Sequence, residues 1–254
     1  MVTARRGVIV LGASAIGVAI GRAFAEAGDV PCCIAKDRPV AGVFAAWSRA
    51  DCADPDAARR AVEDVITALP GLHVLVLAAA SMPVASAADT SDEQWDSAIR
   101  DSLTSAFNLV RECLPRLESG GCIVAVGSVN SFLSAPGLAA YAAAKAGLDG
   151  LIRQVALDYG GLGIRANIVA PGLVSDGESG PAASGYPAGR VGRPSDVADA
   201  VVFLASDRAS FITGVTLPVD GGLSIASPAA YLSERLRARF PQRPAGQPDE
   251  GGHR

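Results

Sequence analysis

The chain has 254 residues, 50% of them hydrophobic and only 5% aromatic, enough to bury one sizeable α/β core as a single domain. A formal net charge of −4 and a sequence pI near 5.2 leave no clustered cationic surface, which excludes nucleic acid and anionic membrane as partners. Five cysteines (Cys32, Cys33, Cys52, Cys113 and Cys122) are odd in number and show neither CxxC nor His-bearing ligand spacing, so they read as reduced core thiols with no metal.

The N-terminal stretch "MVTARRGVIVLGAS" reaches a glycine turn after five apolar residues, too few for a signal-peptide core, and no later run is long enough to cross a bilayer. A soluble, cytoplasmic protein is expected. Short apolar runs then follow one another: "GVIVL" (7–11), "VPCCIA" (30–35), "LHVLVLAAA" (72–80), "CIVAVGS" (122–128), "IRANIVA" (164–170) and "VTLPVD" (215–220). Segments of 3.6-residue periodicity lie between most of them, at 14–27, 55–69, 92–118, 136–160 and 194–206. Strands without polar alternation are buried on both faces, and the order predicts an α/β fold: a single-domain, Rossmann-like, doubly wound parallel sheet with helices on both faces.

One connection does not suit that plan. Before the β-rich "VFAAW" (43–47) stands only "KDRPVAG", whereas a parallel crossover needs a dozen or more residues. The segment is therefore predicted as an antiparallel strand or a rebuilt sheet edge, reached by a tight connection without a crossover helix. After "VDGG" (219–222) the character changes again: "AAYLSERLRARF" patterns as a helix with Leu232, Leu236 and Phe240 on one stripe, and "PQRPAGQPDEGGHR" has the composition of a disordered tail. The predicted division is a Rossmann-like domain over 1–226 and a C-terminal helix and tail over 227–254.

The strongest chemical signal is Ser128 followed thirteen residues later by "YAAAK", with Tyr141 and Lys145 at i and i+4 on one helix face. A phenol titrates near 10, about three pH units from neutrality, and makes a poor proton donor or acceptor there. Lys145 as a neighbouring cation is expected to favour the phenolate, lower that pKa and make Tyr141 an acid/base group, with Ser128 donating a hydrogen bond to the substrate oxygen.

At this point the sequence resembles the short-chain dehydrogenase/reductase family over roughly residues 7–224. The matching stretches are "GASAIG" (12–17), "AD" (50–51), the Ser128/Tyr141/Lys145 set, "NIVAPG" (167–172), "GRVGRPSDVADAVVFLASD" (189–207) and "FITGVTLPVDGG" (211–222). The resemblance implies that Tyr141 and Ser128 bind the substrate carbonyl or hydroxyl, that Lys145 also holds the nicotinamide ribose, and that Pro171, Gly172 and Val174 pass the nicotinamide. It implies a phosphate loop at Gly12, Ser14, Ile16 and Gly17, an adenine contact at Asp51, an adenosine wall at Ala79 and a homotetramer or homodimer. Milder readings stand beside these, in which Ser128 caps a strand end and Asn167 ties two loops.

The chain also departs from the family's pattern. Leu11 replaces the threonine of TGxxxGxG, four residues instead of five separate Gly12 from Gly17, and the middle glycine has no counterpart, so weakened pyrophosphate binding is expected. NNAG becomes "LAAA" (77–80), and the active-site asparagine of the fourth helix aligns with Ser102, a fourth catalytic candidate whose hydroxyl can hold a water. The acid that would bind the NAD ribose falls at Ala35 and Lys36 follows, a cation that suits a 2′-phosphate or else a plain solvated lysine. Asp176 stands where a threonine is usual, as a second acid/base group or a turn cap. Residues 175–188 are short for a substrate lid.

The expected activity is hydride transfer between NADP(H), in preference to NAD(H), and a small-molecule carbonyl or alcohol. The alternatives are a non-redox enzyme of the same fold using Tyr141 and Lys145 (a dehydratase, isomerase or cyclase) and a non-catalytic partner subunit.

Overall fold

The computed structural model of the chain describes residues 5–176 and 185–240. Its first strand, β1 (Gly7–Leu11), is buried at every position, with Val8 and Val10 in the core on one side of the sheet and Ile9 and Leu11 in the core on the other. Gly12 follows at φ +109°, and a Cβ there would meet the Ala78 and Ala79 backbone at 3.0 Å, so this close approach requires glycine. Helix α1 (Ala15–Glu26) starts at Ser14, whose hydroxyl accepts from the Gly17 N–H at 3.4 Å, and it buries Gly17, Ile20, Gly21 and Phe24 along one stripe. Enclosing Ile20 and Phe24 contributes about 1.5–3 kcal/mol each.

Strand β2 (Val30–Ala35) is followed by β3 (Ala46–Arg49), and the two pair in parallel from Cys32 opposite Ala46 to Ala35 opposite Arg49. The expected absence of a crossover helix holds, since no helical turn lies between them. The antiparallel alternative does not, and the strand begins at Ala46 instead of 43. The reason is packing: Phe44 lies over α1 so closely that a Cβ on Gly21 would sit 2.4 Å from its Cε1. One aromatic ring covers the face that a crossover helix would otherwise cover, which lets a short irregular connection join parallel strands.

Helix α2 (Pro55–Ile66) opens with Pro55 behind Asp54, which accepts from the Ala57 N–H at 2.7 Å. Strand β4 (Leu72–Leu77) ends three residues before the predicted run does. The long periodic segment 92–118 becomes α3 (Asp92–Ile99), a π-helical stretch at Arg100–Thr104 and α4 (Ser105–Cys113), and the last turn closes at Pro115. Strand β5 (Leu117–Val126) starts earlier than expected because Leu117 pairs with Leu72 across an irregularity in register. Helix α5 (Ala139–Tyr159), β6 (Arg165–Pro171), α6 (Pro194–Leu204) and β7 (Thr216–Val219) complete the domain.

The seven strands run parallel in the order β3-β2-β1-β4-β5-β6-β7. Helices α1 and α6 close one face, and α2, α4 and α5 close the other. The chain leaves β1 toward one edge and β4 toward the other, so a crevice opens at the C-terminal ends of these two central strands. The terminal segment forms two short helices, α7 (Pro228–Leu232) and α8 (Glu234–Arg237), broken at Ser233, in place of the single predicted helix. Leu232 is exposed and the Tyr231 and Phe240 rings lie 5.5 Å apart, so the expected apolar stripe does not form. The predicted disordered tail, 241–254, falls outside the described residues. All five cysteines are free and buried.

Candidate active site

A cleft of about 580 Å³ occupies the crevice and runs from the start of α1 to the start of α5. Gly12, Ser14 and Ile16 line it at the helix N-terminus, where backbone N–H groups and the helix dipole suit an anion. Gly17 lies beneath: a Cβ there would meet the Gly12 carbonyl oxygen at 2.2 Å, so this glycine lets the helix start against the turn and does not itself face the cleft.

The far wall beside β2 and β3 carries Lys36, Asp37, Arg38, Asp51 and Cys52. Lys36 Nζ lies 2.5 Å from Asp101 Oδ1 and 3.6 Å from Asp51 Oδ2, and Arg100 approaches Asp51 at 3.6 Å. Lys36 is therefore held between two carboxylates, not freely solvated, and they outweigh partial burial to raise its pKa. Asp51 Oδ1 also accepts from the Ala53 N–H at 3.1 Å. Ala79 lines the floor next to Gly12.

At the other end stand Ser128, Tyr141 and Lys145, with Pro171, Gly172 and Val174 opposite. Ser128 follows β5 and caps a 3₁₀ turn, Val129–Ser131, accepting from the Asn130 N–H at 3.1 Å; its hydroxyl is also the side-chain partner of the Tyr141 hydroxyl. Lys145, 2% exposed, donates from Nζ to the Val126 carbonyl at 2.7 Å and lies 5.7 Å from the centroid of the Tyr141 ring. Burial pushes Lys145 down to about 8, with Asp149 opposing. The expected lowering of Tyr141 is reversed: burial raises the phenol, and the Ser128 hydrogen bond offsets only part of that.

The remaining candidates sit away from the cleft wall. Ser102 lies in the π-helical stretch, 1% exposed, its hydroxyl without a hydrogen-bond partner among the described residues. Asp176 is exposed and does not line the cleft. Asn167 ties β6 to the loop before β7, donating to the Ile212 carbonyl at 2.8 Å and accepting from the Val215 N–H at 3.2 Å. Most of the short lid segment, 177–184, falls outside the described residues.

Sequence reasoning missed a buried carboxylate. Asp149 Oδ2 accepts from the Ser131 hydroxyl at 3.0 Å and the Thr216 hydroxyl at 3.2 Å, while Oδ1 has no partner among the described residues, and burial raises its pKa. The signal was present, since Tyr141, Lys145 and Asp149 recur every fourth residue on α5. Met82 and Asp101 also line the cleft, with no motif to announce them. Among the described residues no group of three or more His, Cys, Asp or Glu side chains is placed to hold a metal, and no helix is long and apolar enough to cross a membrane.

Comparison with known proteins finds relatives over most of the chain. A family model described as enoyl-(acyl carrier protein) reductase matches residues 10–224. An uncharacterized oxidoreductase of Schizosaccharomyces pombe is 37% identical over 241 residues, covering 88% of this chain and 92% of that one. The 3-oxoacyl-(acyl-carrier-protein) reductase of Thermotoga maritima is 35% identical over 182 residues, covering 68% and 74%. Among solved structures, an oxidoreductase of Burkholderia thailandensis described as of the short chain dehydrogenase/reductase family superposes with a TM-score of 0.79 at 32% identity, covering 93% of this chain and 98% of that one.

Proposed function

Because the chain belongs to the short-chain dehydrogenase/reductase family and is an oxidoreductase of that type, we propose that it interconverts a carbonyl and an alcohol with NADP(H). The observation that carries the reading is the continuity of one cleft from the N-terminus of α1 to the Tyr141 hydroxyl, which suits an anionic dinucleotide at one end and a reacting oxygen at the other.

A nicotinamide held at Pro171–Val174 would supply or accept the hydride. In the reductive direction Tyr141 would give its hydroxyl proton to the carbonyl oxygen as the carbonyl carbon gains that hydride, leaving an alcohol. Ser128 donates a hydrogen bond to the same oxygen, where negative charge develops. Lys145, with Nζ 5.7 Å from the centroid of the Tyr141 ring, would hold the nicotinamide ribose.

The preference for NADP(H) rests on Lys36 and Arg38, which place two cations on the cleft wall just past β2, where Ala35 offers no acid to a ribose. Asp51 and Asp101 compete for Lys36, so the preference is moderate, about tenfold in Kd. The exposed side chains of Ser14 and Ala15 stand at the phosphate turn and weaken binding relative to a full glycine loop.

Calorimetric titration with NADPH and NADH, together with the absorbance change of NADPH over a carbonyl panel, tests the proposal. No heat with either dinucleotide at millimolar concentration, with turnover in their absence, would replace it by the non-redox reading. A homotetramer or homodimer is proposed as the working form, because Trp95 on α3, Phe107 on α4 and Leu157 on α5 are exposed on the helices expected to form its interface. Light scattering that gives a monomer at micromolar concentration would remove this part.

A further inference from the structure

The charges that line the cleft are divided unevenly. Lys36, Asp37, Arg38, Asp51 and Asp101 all stand at the β2 end, whereas at the Tyr141 end Lys145 is the one charged lining residue among those described. Lys145 Nζ is already committed to the Val126 carbonyl. Two apolar side chains that line the cleft are largely exposed, Met82 at 56% and Leu173 at 52%, and Val84, beside Gly137, is 68% exposed.

This rim is held in place. The Ala85 N–H donates to the Gly137 carbonyl at 2.9 Å, Ala85 bridges Leu138, and a Cβ on Gly137 would lie 3.1 Å from Val84 Cγ1. The loop after β4 is thus laced to the segment that begins α5, three residues before Tyr141. Leu173 answers from the opposite wall, beyond β6.

From this arrangement, and resting on the redox reading above, we propose that the substrate is an uncharged ketone or secondary alcohol with apolar substituents, and that the site rejects an anionic group attached near the reacting carbon. An apolar substituent covers Met82 and Leu173 and removes their surface from water. A carboxylate in the same place loses its hydration against Met82 and Leu173, side chains that carry no charge and donate no hydrogen bond. The redox step is the one already balanced: hydride to carbon, proton from Tyr141 to oxygen.

Matched keto esters and keto acids test this, with ethyl benzoylformate against benzoylformate and ethyl acetoacetate against acetoacetate. Each is assayed for NADPH-dependent reduction and, separately, for calorimetric binding to the full chain. The ester is expected to exceed its acid by at least 100-fold in kcat/KM in both pairs, and Leu173→Arg is expected to narrow that ratio at least tenfold through the KM of the acid. An acid that binds or turns over as well as its ester overturns the inference and leaves the redox reading standing. Esters that bind more tightly than acids without being reduced overturn the redox reading alone. Absence of both binding and turnover in all four overturns both.

Discussion

Replacing Lys145 by methionine is expected to abolish catalysis yet stabilise the fold at neutral pH. Burial lowers the ammonium of Lys145 from its ordinary 10.5 to about 8. At about 1.36 kcal/mol per pH unit, the folded chain bears a penalty of roughly 3 kcal/mol for holding this charge at pH 7. Methionine fills similar space without charge but forfeits the bond to the Val126 carbonyl and the contact with the Tyr141 ring, together about 2 kcal/mol. The net gain at pH 7 is therefore about 1 kcal/mol. The sign of its pH dependence follows from the depressed value. Below about pH 8 both folded and unfolded chains carry the proton, and the full penalty applies. Between there and 10.5 the folded chain releases the proton first, so the wild type regains stability, and above 10.5 the penalty is gone. Urea unfolding of both proteins at pH 7 and pH 10 should show the gap moving by roughly 2–3 kcal/mol in favour of the wild type. A gap that stays constant between the two pH values would refute the reasoning, since Lys145 would then titrate alike in both states.

Tyr141→Phe should lower kcat/KM by about 10²- to 10⁴-fold and leave cofactor affinity within about twofold, with Ser128→Ala milder; a near-normal kcat in the phenylalanine variant removes Tyr141 from the mechanism. Asn167→Ala should lower unfolding free energy in urea by about 2–3 kcal/mol, because the side chain is fully buried with both hydrogen bonds made, and a loss under about 0.5 kcal/mol counts against that role. Gly17→Ala places a methyl 2.2 Å from the Gly12 oxygen and must displace the turn, so calorimetry should show cofactor binding weakened at least tenfold; an unchanged Kd contradicts the anion site at α1.

Much of the architecture was legible because parallel strands buried on both faces leave a distinctive record, as "GVIVL" and "IRANIVA" do. The edge was harder to read. Whether β3 runs parallel depends on Phe44 closing over Gly21, a contact between residues 23 positions apart that no local pattern reports. The π-helical stretch at Arg100–Thr104 was hidden for the same reason, since its residues keep a helical hydrophobic period. At the site, spacing brought Ser128, Tyr141 and Lys145 together correctly, while the ionisation of Tyr141 came out with the opposite sign. Sequence distance reported a neighbouring cation but not the enclosure of both groups, and enclosure dominates. Lys36 likewise read as isolated because Asp101, 65 residues away in the π-helical stretch, meets it only through the tertiary fold.

The stripe Tyr141, Lys145 and Asp149 bears on the direction of the chemistry. Burial drives all three toward their neutral forms, raising the phenol and the carboxyl and lowering the ammonium. Alcohol oxidation needs the phenolate as proton acceptor, but in the free chain the phenol titrates above its ordinary 10, whereas Lys145 loses its charge near 8. Raising the pH therefore removes the cation that would stabilise a phenolate before the phenolate forms. Carbonyl reduction needs the opposite form, a protonated phenol beside a hydrogen-bonding serine, and the free chain supplies it at neutral pH without any shift. This order of ionisation favours Tyr141 as a proton donor.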